Sequence, residues 1–199
     1  MGRIAVKEID LDNFQFEELD NSLITEMKQL IIEETMSDEE EVYELPHHSL
    51  LPEKLKGMYT RYDLKQRNQH YGTKRTIFFA LNLAYNWWVK KMKPQLLIGD
   101  ISAKEFDNTQ GHLSHKTGTH IDIDLSNFLP RDTAYDVEKK MQCAVLCGMM
   151  LSLGAKRILF NDVDVMAACN QLAAKKNLTG RVIATVPGHD NHFHVELYN

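Results

Sequence analysis

From about residue 73 the hydrophobic positions follow two distinct periods. In TKRTIFFALNLAYNWWVKKMK, residues 73–93, apolar side chains recur at helical spacing over a broad face, and a basic turn closes the run, which suits the negative end of a helix dipole. A helix is predicted there, with Trp87 and Trp88 assigned to the core. QLLIGDIS reads as a short buried strand and GTHIDIDL as an alternating one. Residues 133–153 predict a long helix, RILF and RVIATV two strands separated by a helix near residues 162–176, and HFHVEL the last strand. Helices and strands are mixed and several connections are too short for parallel crossovers. The expectation is an α+β fold with a mainly antiparallel central sheet flanked by helices.

The first 60 residues have a different character. NSLITEMKQLIIEET, residues 21–35, follows the cap-like Asp20, Asn21 and Ser22 and predicts a helix. The acidic run Asp38 to Glu41 then reads as a solvated helix end or loop, and the prolines of ELPHHSLLPEKLKG mark loop, with His47 and His48 at its surface. We therefore divide the chain into a helical, acidic extension, residues 1–60, and a main domain, residues 61–199.

Composition narrows the classes of function. At 199 residues the chain can bury one substantial core, and 43% hydrophobic with 26% charged residues is ordinary for a globular protein. No apolar run approaches the roughly 18 residues of a membrane span. A formal charge of −5 offers no broad attraction to phosphate backbones, so nucleic acid is not expected as a partner. Lys7, Glu8, Asp10 and Asp12 interrupt the N-terminus before a signal-peptide core could form. Either a native signal was replaced by a start Met, or the protein leaves the cell by another route. Cys143, Cys147 and Cys169 are odd in number and contain no CxxC pair, so buried structural thiols are expected rather than disulfides or a metal set.

The histidines carry the candidate chemistry. Residues two apart on a strand face one side, so His192 and His194 project together while Phe193 and Val195 face the core. In HIDIDL, His120, Asp122 and Asp124 share one face and Ile121 and Ile123 the other. GHLSHKTG, just upstream, adds His112 and His115. If the two polar faces meet, they form a pocket of imidazoles and carboxylates. A catalytic zinc commonly takes three protein ligands from His and Asp or Glu and keeps a fourth position open, and His115, Asp122 and His194 would supply that set. Two neutral imidazoles and one carboxylate leave a net positive site, and His192 would stand beside it to move a proton. A single His on a strand is ordinarily a surface or core residue; here four histidines and two aspartates fall on short segments that can converge. HExxH is absent, which sets aside the commonest zinc-protease helix.

These residues also carry a resemblance. SHKTGTHIDIDL, with its H-x6-D spacing, followed by a C-terminal HxH, resembles the LAS metallopeptidases, the lysostaphin-type, D-Ala-D-Ala-cleaving and Hedgehog-like group. More closely, LLIGDIS, GHLSHKTGTHIDID and GHDNHFH, in that order over about residues 65–199, are similar to the motifs of the penicillin-insensitive murein endopeptidases. The resemblance implies Zn2+ held by His115, Asp122 and His194, with His192 activating water or stabilising the transition state and His112 and His189 lining the same site. One position departs from the pattern. The family usually has Asp before the ligand Asp, whereas this chain has His120 there and its second carboxylate at Asp124; His120 would add a metal contact, bind substrate or alter specificity. Arg67 and His70 in RNQHYG are weaker candidates for facing substrate.

The activity implied is hydrolysis of an amide in the peptide cross-links of peptidoglycan, of the D-Ala to diaminopimelate type, without an acyl-enzyme and hence without inhibition by β-lactams. The alternatives are a D,D-carboxypeptidase or dipeptidase on the same fold and, from another class, a zinc-containing binding module such as the Hedgehog-like relatives. The site of action would be the periplasm or cell wall, reached by lysis release, by export or after removal of a signal. Residues 1–60 would cap the domain, form a homodimer or engage a secretion partner.

Overall fold

Thr73 opens the helix that the apolar period predicts. In the computed structural model, which describes residues 33–37, 40–62, 69–104, 114–125 and 137–198, its Oγ1 accepts the N–H of Thr76 and helix α1 runs Lys74–Val89. Ile77, Ala80, Leu81, Ala84 and Trp87 recur at helical spacing and are all buried. Trp87 is core as expected, its indole N–H donating to the Pro94 carbonyl at 2.8 Å. Trp88 is half-buried, tilted against Tyr85 at 6.3 Å.

Among the described residues nine strands accompany this helix: β1 (Glu33–Ser37), β2 (Glu40–Glu44), β3 (Tyr59–Arg61), β4 (Tyr71–Gly72), β5 (Leu96–Ile98), β6 (His120–Asp124), β7 (Arg157–Leu159), β8 (Arg181–Ile183) and β9 (His192–Glu196). Helices α2 (Val137–Ser152) and α3 (Val163–Lys175) follow β6 among the described residues. The larger sheet has six strands in the order β3-β5-β6-β9-β7-β8, and a three-stranded antiparallel sheet has the order β1-β2-β4. The fold is α+β, as expected, but the larger sheet is mixed. β3 and β5 are parallel, as are β7 and β8, whereas β7 and β9 are antiparallel. The chain between each parallel pair contains a helix, α1 or α3, which supplies the length a parallel return requires.

The N-terminal expectation needs correction. Glu33 to Thr35, read as the end of a helix, lie in β1 and pair with β2, Glu33 opposite Tyr43 and Thr35 opposite Glu41. Pairing with a neighbouring strand has overridden the local helical preference. Residues 21–32 lie outside the described residues. Of the acidic run, Glu40 and Glu41 begin β2 rather than a loop, and Asp38 and Glu39 lie outside the described residues. ELPHHSLLPEKLKG contains two single-turn 3-10 helices, His48–Leu50 and Glu53–Leu55, and buries Leu51 and Leu55. His47 and His48 are half-buried rather than at the surface; the rings stack at 4.2 Å, and His48 Nδ1 accepts the N–H of Arg61.

By the density of internal contacts the described residues form two compact units, one ending at Ile123 and the other running Asp124–Tyr198. In the first, β2 pairs with β4 and β3 with β5, so residues 40–61 are built into the sheets. Its core includes Val42, Tyr43, Leu45, Tyr59, Leu81 and Ile98. In the second, α2 and α3 pack together over fully buried Cys143, Cys147 and Cys169, all free thiols. Phe160 after β7 meets Phe193 of β9 at 4.3 Å. Asn170 of α3 donates its amide to the Val182 carbonyl and accepts the Val182 N–H, which satisfies the outer side of edge strand β8. No helix among the described residues is long and apolar enough to cross a membrane.

Candidate functional site

His115 is fully buried and gripped at three points. Its Nδ1–H donates to the Ile101 carbonyl at 2.5 Å, its own carbonyl accepts the Ser102 hydroxyl at 2.6 Å, and its Nε2 stands 3.3 Å from Asp122 Oδ1. A ring whose Nδ1 carries the proton presents a lone pair at Nε2 when neutral, which is the arrangement of metal-ligating histidines. The Ile101–Ser102 backbone is held in turn: Ile101 N–H donates to Gln69 O at 2.7 Å, and Tyr71 N–H donates to Ser102 O at 3.1 Å. The stretch before β6 is tied to the start of α1, where Thr73 N–H and the Thr76 hydroxyl both donate to the Gly118 carbonyl.

Asp122 is presented by alternation in β6. Ile121 and Ile123 are fully buried, His120 and Asp124 are half-buried, and Asp122 is 8% exposed. Gly99 lets the neighbouring backbone come close: a Cβ there would lie 3.2 Å from both Cβ and O of Asp122. Gly99 N–H donates to Asp122 O at 2.8 Å, and Asp122 N–H to Asp100 O at 2.9 Å. The glycine of LLIGD thus serves the position of Asp122 through backbone approach.

Electrostatics at His115 pull both ways. Burial, the largest influence, lowers its pKa; the hydrogen bond and charge of Asp122, the Ile101 carbonyl and the charge of Asp100 raise it, and the net direction is upward.

The C-terminal histidines come from the loop and strand at the chain's end. His194 is buried and pairs in register with Leu159 of β7. The His189 ring lies 5.1 Å from that of His192 and 5.6 Å from that of His194. His189 Nδ1–H donates to Pro187 O at 3.0 Å, and His192 Nδ1–H to Asn191 Oδ1 at 3.0 Å, so each neutral ring has its basic nitrogen at Nε2.

Among the described residues, one group of three or more His, Cys, Asp or Glu side chains has the spacing to hold a metal ion: His115, Asp122 and His194, all buried, with a donor atom of each within 4.8 Å of the others. Two imidazoles and one carboxylate are a donor set that could hold a metal ion. Bonds of about 2.0–2.1 Å at tetrahedral angles put ligand atoms roughly 3.3 Å apart, the separation of His115 Nε2 and Asp122 Oδ1. His120 is outside this set, its ring 6.0 Å from that of His115, and so is Asp124. His112 and Arg67 lie outside the described residues. His70 is 2% exposed, and its carbonyl accepts the N–H of Leu45.

Sequence reading missed the anchors of His115 and Asp122. Ile101 acts through a carbonyl, which has no sequence signal, whereas Gly99 and Ser102 were visible in LLIGDIS as a small residue and a hydroxyl beside a buried strand. A cavity of about 580 Å3, lined by residues that include Met58, Trp87, Trp88 and Met92, contains none of the candidate residues.

No curated protein sequence matches the chain. The family model described as penicillin-insensitive murein endopeptidase matches residues 51–152, just over half of the chain. The matched span includes His112, His115, His120, Asp122 and Asp124 and ends before His189, His192 and His194. With the H-x6-D spacing and its buried histidine inside the match, the chain belongs to the penicillin-insensitive murein endopeptidase family.

Proposed function

We propose that the protein is a zinc-dependent endopeptidase that hydrolyses D-alanyl to diaminopimelate amide cross-links in murein. The family indicates a hydrolase acting on murein, with its place of action in the cell wall or periplasm. The observation that carries the metal is the closeness of the donor atoms of His115, Asp122 and His194. Zinc held by these residues would act as a Lewis acid, polarising the scissile carbonyl and lowering the pKa of water.

The protein's own groups supply the proton chemistry. His192 Nε2 takes a proton from the attacking water as the new C–O bond forms, and its Nδ1–H is steadied by Asn191. The same proton passes to the amide nitrogen as the C–N bond breaks, and the second proton of the water follows to the released amine, so the products are a carboxylate and an ammonium group. His189, ring to ring with His192, hydrogen-bonds the departing group or the developing oxyanion. No side chain is acylated, which supports a reaction that β-lactams do not block. His120 and Asp124 on β6, with His112, are assigned to substrate contacts. We infer that the strands before residue 61, which pair with β4 and β5, belong with residues 61–199 to the catalytic domain, and that the part of residues 1–60 ahead of β1 is the extension that engages a second copy or a secretion partner.

Digestion of purified diaminopimelate-type peptidoglycan tests this reading, with chelator and then with zinc restored. Zinc-dependent conversion of cross-linked dimers to monomers is expected. Release of terminal D-Ala alone would move the activity to a carboxypeptidase. A zinc-loaded protein that yields no product would favour a binding module.

A further inference from the structure

The turn Val186–Asp190 carries His189 and leads into β9, and one residue outside it holds it at three places, once through its backbone and twice through its side chain. Asn161 follows β7 and directly precedes Asp162, the N-cap of α3. Its backbone N–H donates to the His189 carbonyl at 2.9 Å. Its Oδ1 accepts the Val186 N–H at 2.8 Å, and its Nδ2 donates to Asp190 Oδ1 at 3.1 Å. The clamp therefore reaches both ends of the turn and the peptide of His189 itself.

The base of the clamp is firm. Asp162 Oδ1 accepts the N–H groups of Asp164 and Val165, and Lys140 of α2 pairs with Asp162 at 3.0 Å and with Asp164 at 2.5 Å. On the other side, Phe160 N–H donates to Ile183 O at 3.0 Å, and the Phe160 ring packs on Phe193 between His192 and His194. Asn161 is thus fixed by a helix start behind it and a sheet before it. The turn it grips has exposed Pro187 and Gly188, the latter at φ +86° with nothing within 4 Å of an added Cβ. Intrinsic packing does little to hold such a turn, so hydrogen bonds must.

We propose that Asn161 is a positioning residue for catalysis: its amide locks the Val186–Asp190 turn so that the His189 ring is held beside His192. The inference rests on the endopeptidase reading above. It requires an amide because one side of the group must accept from a backbone N–H while the other donates to a carboxylate. A carboxylate at 161 keeps the first bond, loses the second and repels Asp190.

The test is a reciprocal exchange. Asn161→Asp, Asp190→Asn and the double variant are compared for murein cleavage, zinc content and melting temperature. Asn161→Asp is expected to lower kcat about tenfold or more with zinc content and KM little changed, because a misplaced group costs transition-state rather than ground-state interactions. The double variant restores the donor and acceptor pair in exchanged roles and should recover most of the lost kcat. Full activity of Asn161→Asp, or a double variant no better than the worse single one, would overturn the proposal. An independent readout is the imidazole nitrogen NMR signal of His189, assigned by its loss in His189→Ala. The Nδ1–H form should dominate in the wild type, mix with the other tautomer in Asn161→Asp and return in the double variant; an unchanged signal in Asn161→Asp counts against the clamp. If the wild type cleaves no murein while these signals behave as expected, the endopeptidase reading fails and the clamp stands.

Discussion

Nε2 of His115 and Oδ1 of Asp122 stand 3.3 Å apart, and the far nitrogen of the same ring is hydrogen-bonded to the Ile101 carbonyl. A proton or a metal ion can occupy the place between these two acceptors, and the competition gives opposite pH responses. Without metal, the raised pKa of His115 means that the folded protein binds its proton more tightly than the unfolded chain does. That contribution is complete below the ordinary value of about 6.5 and is lost as pH rises through the higher folded value. Chelated protein should therefore lose stability from this group with rising pH in that window, whereas zinc-saturated protein should gain it. Melting temperatures over pH 6–8, with chelator and with zinc, check the two slopes; parallel slopes would separate His115 from the metal.

Asp122→Ala should reduce zinc affinity by more than the roughly 10–100-fold that loss of an outer partner costs. Ser102→Ala removes only the 2.6 Å bond to the His115 carbonyl and should fall within that range. Competition titration with a chromophoric chelator would rank the two variants.

His192→Ala should retain zinc and lose about 10²–10⁴-fold in turnover, the usual contribution of a positioned proton-transfer group. Unaffected cleavage would remove His192 from the mechanism. Metal analysis of the purified variant separates this loss from loss of the site.

Two glycines should respond differently to the same added methyl group. At Gly180 a Cβ would lie 2.0 Å from the Ala155 carbonyl oxygen, so backbone must move, and Gly180→Ala should cost at or above the upper end of about 1–3 kcal/mol. At Gly99 the contact is 3.2 Å, with Asp122, and Gly99→Ala should act mainly on zinc affinity. Urea denaturation and zinc titration of both variants test the contrast.

The thiols should be inert in the folded protein. Burial, then the nearby charges of Asp162 and Cys169, pushes the pKa of Cys143 up to about 12, and burial also raises that of Cys147. A disulfide-exchange reagent at pH 8 should label none of the three native cysteines rapidly and all three after unfolding. Because the folded pKa of Cys143 lies above the unfolded value of about 8.5, the stability it contributes is present at neutral pH and is lost as pH rises toward 12.

Short-range pattern alone specified much of this molecule. Helical spacing from Thr73 to Val89 placed α1 and its buried face, and period-two alternation put Ile121, Ile123, Phe193 and Val195 in the core. The same alternation set His120, Asp122 and Asp124 on one side of β6 and His192 and His194 on one side of β9, because side-chain direction along a strand depends only on local geometry. Long-range pairing decided the rest. Glu33 to Thr35 became strand because β2 lies beside them, and β3 and β7 acquired parallel partners through their crossover helices. The Ile101 carbonyl that orients His115 and the Asn161 amide that grips the His189 turn are separated from their partners by 14 and 25–29 residues. Such contacts depend on where the sheet brings the backbone, and no local periodicity encodes that.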